Sequence, residues 1–136
     1  DPFALLYDCK SKKDAYSMSK DDERAVVSYV NNKKGEIRAR YRCELMYFII
    51  VGPDFEGRLD ARSHDVHNET NVILVFMKAE ALMRISLWAY SIPPGYKKQI
   101  DLRKIFKVGK EVIDKRDVEA YMIEFDSSYQ KIYRTD

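Results

Sequence analysis

Residues 36–51 read EIRARYRCELMYFIIV, and their patterning carries the most weight for fold class. Ile37, Ala39, Tyr41, Cys43, Leu45, Tyr47, Ile49 and Val51 share one parity, while Arg38, Arg40, Arg42 and Glu44 open the other. A period of two is the pattern of a half-buried strand. From Met46 onward both parities are apolar, so that end of the strand is expected to be covered on both sides, by the core or by a second copy. Gly52-Pro53-Asp54 breaks the run, and residues 55–65, FEGRLDARSHD, read as a weaker and more exposed strand.

Downstream, residues 70–78, TNVILVFMK, are rich in β-branched and aromatic types and short enough for a strand. Residues 83–91, MRISLWAYS, alternate Met83, Ile85, Leu87 and Ala89 with Arg84, Ser86, Trp88 and Tyr90. The two segments read as an antiparallel hairpin, with the intervening KAEAL too short for a stable helix. Ile92-Pro93-Pro94-Gly95 ends it, because proline cannot donate to a ladder. Residues 99–108 are either a strand or a short helix started by Asp101. Residues 117–125 and 129–134 read as a closing hairpin around Asp126-Ser127-Ser128. Upstream, residues 14–18 suit a helical turn, and residues 24–32 are either a strand or a helix capped by Ser19. About eight short strands separated by turns predict an all-β fold, a single antiparallel up-and-down barrel with a short N-terminal helical turn.

The chain has 136 residues, 46% hydrophobic and 34% charged, enough apolar surface for one core, and the whole of 1–136 reads as a single domain. Its 24 Lys and Arg against 22 Asp and Glu leave a net charge of +2, milder than a dedicated nucleic-acid binder shows, so no nucleic-acid partner is expected. Arg38, Arg40 and Arg42, and the cluster Lys97, Lys98, Arg103, Lys104, Lys107 and Lys110, read as solvated surface, with a site for an anionic partner as the lesser alternative. No apolar run approaches a membrane span, so no membrane insertion is expected. A start at Asp1 without a leader fits a secreted protein whose signal peptide has been removed, as does the glycosylation acceptor Asn68-Glu69-Thr70. Cys9 and Cys43, the two cysteines, are compatible with one disulfide or with two buried free thiols.

No catalytic motif is legible, so the chain is read as a binding protein and not an enzyme. His64, Asp65 and His67 lie in a stretch read as strand or loop, where three-residue spacing does not converge on a metal. No cofactor and no metal are expected, and the five glycines form no phosphate-cradling loop.

The order of segments resembles the salivary lipocalins of ticks, the group that includes histamine-binding proteins. DAYSM at 14–18, AVVSYVNN at 25–32, YRCELMY at 41–47 and YMIEFDSSYQKIY at 121–133 carry the likeness. The chain departs from that family at Gln130 and Lys131, where a cysteine is usual. The resemblance implies a lipocalin-like barrel that sequesters a small host mediator, a fatty acid derivative, a sterol or a biogenic amine. Tyr41, Leu45, Phe76, Ile85, Leu87, Tyr121 and Ile123 are the expected cavity lining, with Trp88 as a core anchor or a contact. Two alternatives remain: a filled barrel that binds a host immune protein through its surface, and an enzyme whose convergent polar groups spacing does not reveal.

Overall fold

The apolar run that ends at Val51 is the centre of a parallel sheet, and that placement explains why it is apolar on both parities. In the computed structural model, residues 2–11, 13–106 and 111–133 are described, residues 129–133 by backbone alone. Along the chain come β1 (Phe3–Cys9), β2 (Tyr16–Ser17), α1 (Lys20–Tyr41), β3 (Glu44–Gly52), β4 (Phe55–Glu56) and α2 (Leu59–Thr70). There follow β5 (Ile73–Lys78), α3 (Ala79–Ser91), α4 (Pro94–Lys97), α5 (Arg103–Phe106), β6 (Val112–Ile113) and α6 (Lys115–Tyr133).

The main sheet runs β1-β3-β5-β6 with every pairing parallel, so each return of the chain needs a crossover, and α1, α2 and α3 supply it. Leu45, Phe48 and Ile50 of β3 and Leu74 and Phe76 of β5 pack on one face with Val30 and Ile37 of α1 and Leu59 and Val66 of α2. Tyr47, Ile49 and Val51, with Val75 and Met77, pack on the other with Ala81, Ile85 and Trp88 of α3, Ile105 of α5, and Val118, Tyr121 and Phe125 of α6. The architecture is a three-layer α/β sandwich. A second sheet is a short parallel bridge, Tyr16 opposite Phe55 and Ser17 opposite Glu56.

The expected antiparallel barrel is therefore overturned, and each error has a local cause. Residues 36–41 end α1 and do not begin the strand; of Ile37, Arg38, Ala39, Arg40 and Tyr41 only Ile37 is buried, so the alternation carried no burial. Arg42 closes the helix in the left-handed region at φ 54, an αL cap with no glycine to announce it. The two-faced apolar end is buried inside the chain, so it is no dimer surface. Of residues 55–65 only Phe55 and Glu56 are strand, and the rest enters α2. KAEAL and MRISLWAYS are one helix after Lys78; the burial of Ala81, Ile85 and Trp88 follows a helical repeat, not a period of two. The hairpin expected at 117–134 is α6 as far as Tyr133, with Val118, Tyr121 and Phe125 facing inward, and Arg134 lies outside the described residues. Residues 14–18 hold β2 rather than a helical turn. Residues 24–32 are helix, capped by Ser19 as one alternative had it, and residues 103–106 are the short helix near Asp101.

Arg38, Arg40 and Arg42 are exposed at the C-terminal end of α1, and Lys97, Lys98, Arg103 and Lys104 surround α4 and α5. Lys107 and Lys110 lie outside the described residues. Among those residues no helix is long and apolar enough to cross a membrane.

Candidate active site

β1 is an edge strand, FALLYDC, whose apolar residues pack on β3 and whose last residues emerge at the carboxyl end of the sheet. Asp8 pairs in register with Ile50 and Cys9 with Val51. The Lys10 N–H then donates to the Val51 carbonyl at 2.8 Å, extending the ladder past the strand. Asp8 and Lys10, two residues apart on an extended chain, point to the same side, and their charged groups meet at 2.9 Å. That side is the α1 face, since Ala4 and Leu6 of the same parity pack into the α1 and α2 cluster.

The first turn of α1 faces this pair. Ser19 caps the helix by accepting from the Asp22 N–H at 3.1 Å, and Asp22 reaches back to the Ser19 N–H, a capping box. The Asp22 carboxylate also accepts from the buried Tyr16 hydroxyl at 2.8 Å. Tyr16 is fixed by its own N–H, which donates to the Asp54 carbonyl, and the Lys10 ammonium lies 5.3 Å from the centre of its ring. The Tyr16 hydrogen bond, helped by the Ser19 N–H and the Lys10 charge, holds Asp22 below the usual carboxylate range against some desolvation. Burial first, and then the bond to Asp22, push the Tyr16 hydroxyl well above its ordinary value, so it stays protonated and donates.

Asp8, Lys10 and Asp22 thus border one half-open cleft of about 410 Å³ between β1 and α1, lined also by Val26 and Tyr29 on the same face of α1 as Asp22 and by Phe48 of β3. It opens at the carboxyl end of β1, where open α/β sheets bind ligands. Two carboxylates and an ammonium around a cleft of this kind can bind and polarise an anionic group and hold a water against it.

The expected ligand-binding residues are not brought together. Leu45 and Phe76 are buried on the α1 side of the sheet, and Ile85, Trp88 and Tyr121 on the other, Trp88 packed edge-on to Tyr121 and Phe125. Tyr41, Leu87 and Ile123 are more than half exposed on three different helices. Between two filled faces there is no barrel cavity for them to line. Cys9 is exposed at the carboxyl end of β1 and Cys43 half-buried just before β3; both are free thiols, at opposite ends of the parallel strands. Asn68 is exposed on α2, not in a loop, with its side-chain nitrogen 3.0 Å from His64 Nε2. His64 and His67 do share that helix, yet among the described residues no three His, Cys, Asp or Glu side chains form a metal-holding group.

Asp8, Lys10 and Asp22 were not singled out by sequence reasoning. The available signal was the end of FALLYDCK, residues 3–10: an acid and a lysine two apart where an apolar strand stops.

A family model, that of the FokI cleavage domain, matches residues 1–113 of the chain. No curated protein and no solved structure matches it significantly. The match is to a nuclease domain, and it overturns the resemblance to tick salivary lipocalins, the small hydrophobic ligand or amine, the host immune partner, the expected absence of enzyme activity and the exclusion of nucleic acid. Composition misled here because a mild net charge describes the whole surface, whereas hydrolysis needs only a few charges at one strand end.

Proposed function

The chain belongs to the FokI cleavage-domain family, and we propose that it hydrolyses phosphodiester bonds in nucleic acid at the Asp8, Lys10 and Asp22 cleft. The observation that carries this reading is the Asp8–Lys10 pair, 2.9 Å apart on the carboxyl end of an edge strand in a chain matched to a nuclease domain.

Hydrolysis adds the oxygen of water to phosphorus, breaks one ester bond, and passes a proton to the leaving oxygen. The Lys10 ammonium is a cation with three donors, suited to the charge that develops on the phosphoryl oxygens. Asp8 accepts a hydrogen bond from the attacking water and orients it. Asp22, kept ionised by Tyr16, adds negative field that holds the ammonium at the cleft. Nucleases of this kind imply a divalent cation, and the donor set fits one: magnesium takes one or two carboxylates and completes its shell with water, and Asp8 and Asp22 are hard oxygen donors bordering one cleft. Such an ion, when bound, makes coordinated water more acidic and neutralises phosphoryl charge.

The test is incubation of the purified chain with supercoiled DNA and with single-stranded oligonucleotides in magnesium, against an EDTA control. Cleavage that disappears in EDTA and in Asp8→Asn and Lys10→Ala supports the reading. Cleavage that persists in both variants, or no cleavage of any nucleic acid by the wild-type chain, overturns it.

A further inference from the structure

Positive charge at the carboxyl edge of the sheet does not end with Lys10. Cys9 pairs with Val51, so one step further Lys10 comes abreast of Gly52, and Gly52 is paired in turn with Lys78, the last residue of β5. Lys78 has the parity of Leu74 and Phe76, which pack into the α1 and α2 cluster, so it leaves the sheet on the same face as Lys10. Neighbouring strands lie about 4.8 Å apart, which sets the two lysine backbones about 10 Å from each other, within joint reach of two flexible stems. β3 runs between them, and the turn after it carries Asp54, whose carboxylate holds the Lys78 ammonium at 3.5 Å. The Phe55 N–H first, and then the Lys78 charge, keep that carboxyl below the usual range. With the Asp54 side chain 61% and that of Lys78 32% exposed, the pair is a weak one, and the ammonium changes partner at little cost. Past Lys78 the edge no longer favours an anion, because Lys115 and Arg116 share a hollow with Glu80, Asp114 and Glu119.

We propose that Lys78 binds a second phosphate of a duplex substrate, the neighbour of the scissile phosphate on the same strand, exchanging Asp54 for it. Two lysines two strands apart then fix the direction in which the nucleic-acid backbone crosses the edge of the sheet, whatever its sequence. The inference rests on the nuclease reading, since the phosphate at Lys10 is where this path begins.

The test is duplex binding in EDTA, where no cleavage is expected, read by fluorescence anisotropy of a labelled oligonucleotide at several salt concentrations. Lys78→Gln is expected to weaken binding alike on duplexes of unrelated sequence and to reduce the slope of log K against log salt by about 0.9, the loss of one phosphate contact. Lys78→Arg is expected to restore the slope. Asp54→Asn is expected to tighten binding, because the phosphate then has no carboxylate to displace. In magnesium the effect of Lys78→Gln is expected in KM rather than kcat. Melting curves check that the variants fold, and the tightening in Asp54→Asn decides the matter if Lys78→Gln does not. An unchanged salt slope in folded Lys78→Gln, or no tightening in Asp54→Asn, overturns the second phosphate contact. If the wild-type chain still cuts in magnesium in that case, the nuclease reading survives alone; if it neither binds nor cuts nucleic acid, both fall.

Discussion

Lys10 is held at both ends, its N–H bonded to Val51 and its ammonium set between Asp8 and the Tyr16 ring. With its side chain 30% and that of Asp8 50% exposed, the pair adds little to stability. Lys10→Ala is therefore expected to lower cleavage by about 100-fold or more. Its melting free energy should stay within about 0.5 kcal/mol of wild type. A large stability loss with cleavage retained would reverse both halves of that statement. Tyr16→Phe acts differently, because it removes the hydroxyl that keeps Asp22 acidic. A native carboxyl held below its unfolded value of about 3.9 contributes stability that is fully present above that pH and lost as pH falls through the lower native value. Tyr16→Phe should raise the Asp22 pKa towards the ordinary range, cost about 1 kcal/mol near neutrality, and flatten the acid limb of the stability curve. Carbon-detected NMR titration of the Asp22 carboxyl reads the first effect directly.

At the scale of elements, α1 begins at the site it serves. Its capping box uses Asp22 for two purposes, to start the helix and to face the cleft. Ser19→Ala is expected to cost about 1 kcal/mol, measured by urea denaturation, and to disturb the cleft through Asp22. The turn between β4 and α2 is a second sensitive point. Gly57 has φ +91, and a Cβ there would sit 2.9 Å from the Ser17 hydroxyl of β2. Gly57→Ala should destabilise by about 1 kcal/mol or more and loosen the β2–β4 bridge; unchanged urea midpoints would argue against it. The elements also show what sequence could reveal. β3 and β5 were legible as strands because MYFIIV and ILVFM are dense in β-formers. α3 and α6 were not, because Met83, Ile85, Leu87 and Ala89 alternate by chance while the buried set, Ala81, Ile85 and Trp88, lies under the same letters.

For the whole molecule, the decisive clue was the two-sided apolar end of β3, which fits a central strand in a parallel sheet better than the wall of a barrel. It was visible, but the run of turn signals around it favoured the other architecture. The candidate site was less legible still, since Asp8 and Lys10 gain meaning only beside Tyr16 and Asp22, which the fold delivers. The layering predicts a gradient of protection. Amide hydrogen exchange should be slowest in β3 and β5, covered on both faces and paired on both sides, and faster in β1, whose outer edge has no strand beside it among the described residues. Equal rates across the three strands would contradict this layering.

Every residue that lines the cleft, from Tyr7 to Tyr29, lies in β1, the bridge after it and the first turns of α1, with Phe48 alone coming from β3. The reactive part is thus one modular cassette of a strand and the helix that follows. Its geometry is nonetheless set from outside, because the Val51 and Asp54 carbonyls fix Lys10 and Tyr16, so a change in β3 or in the turn after it reaches the chemistry through the backbone.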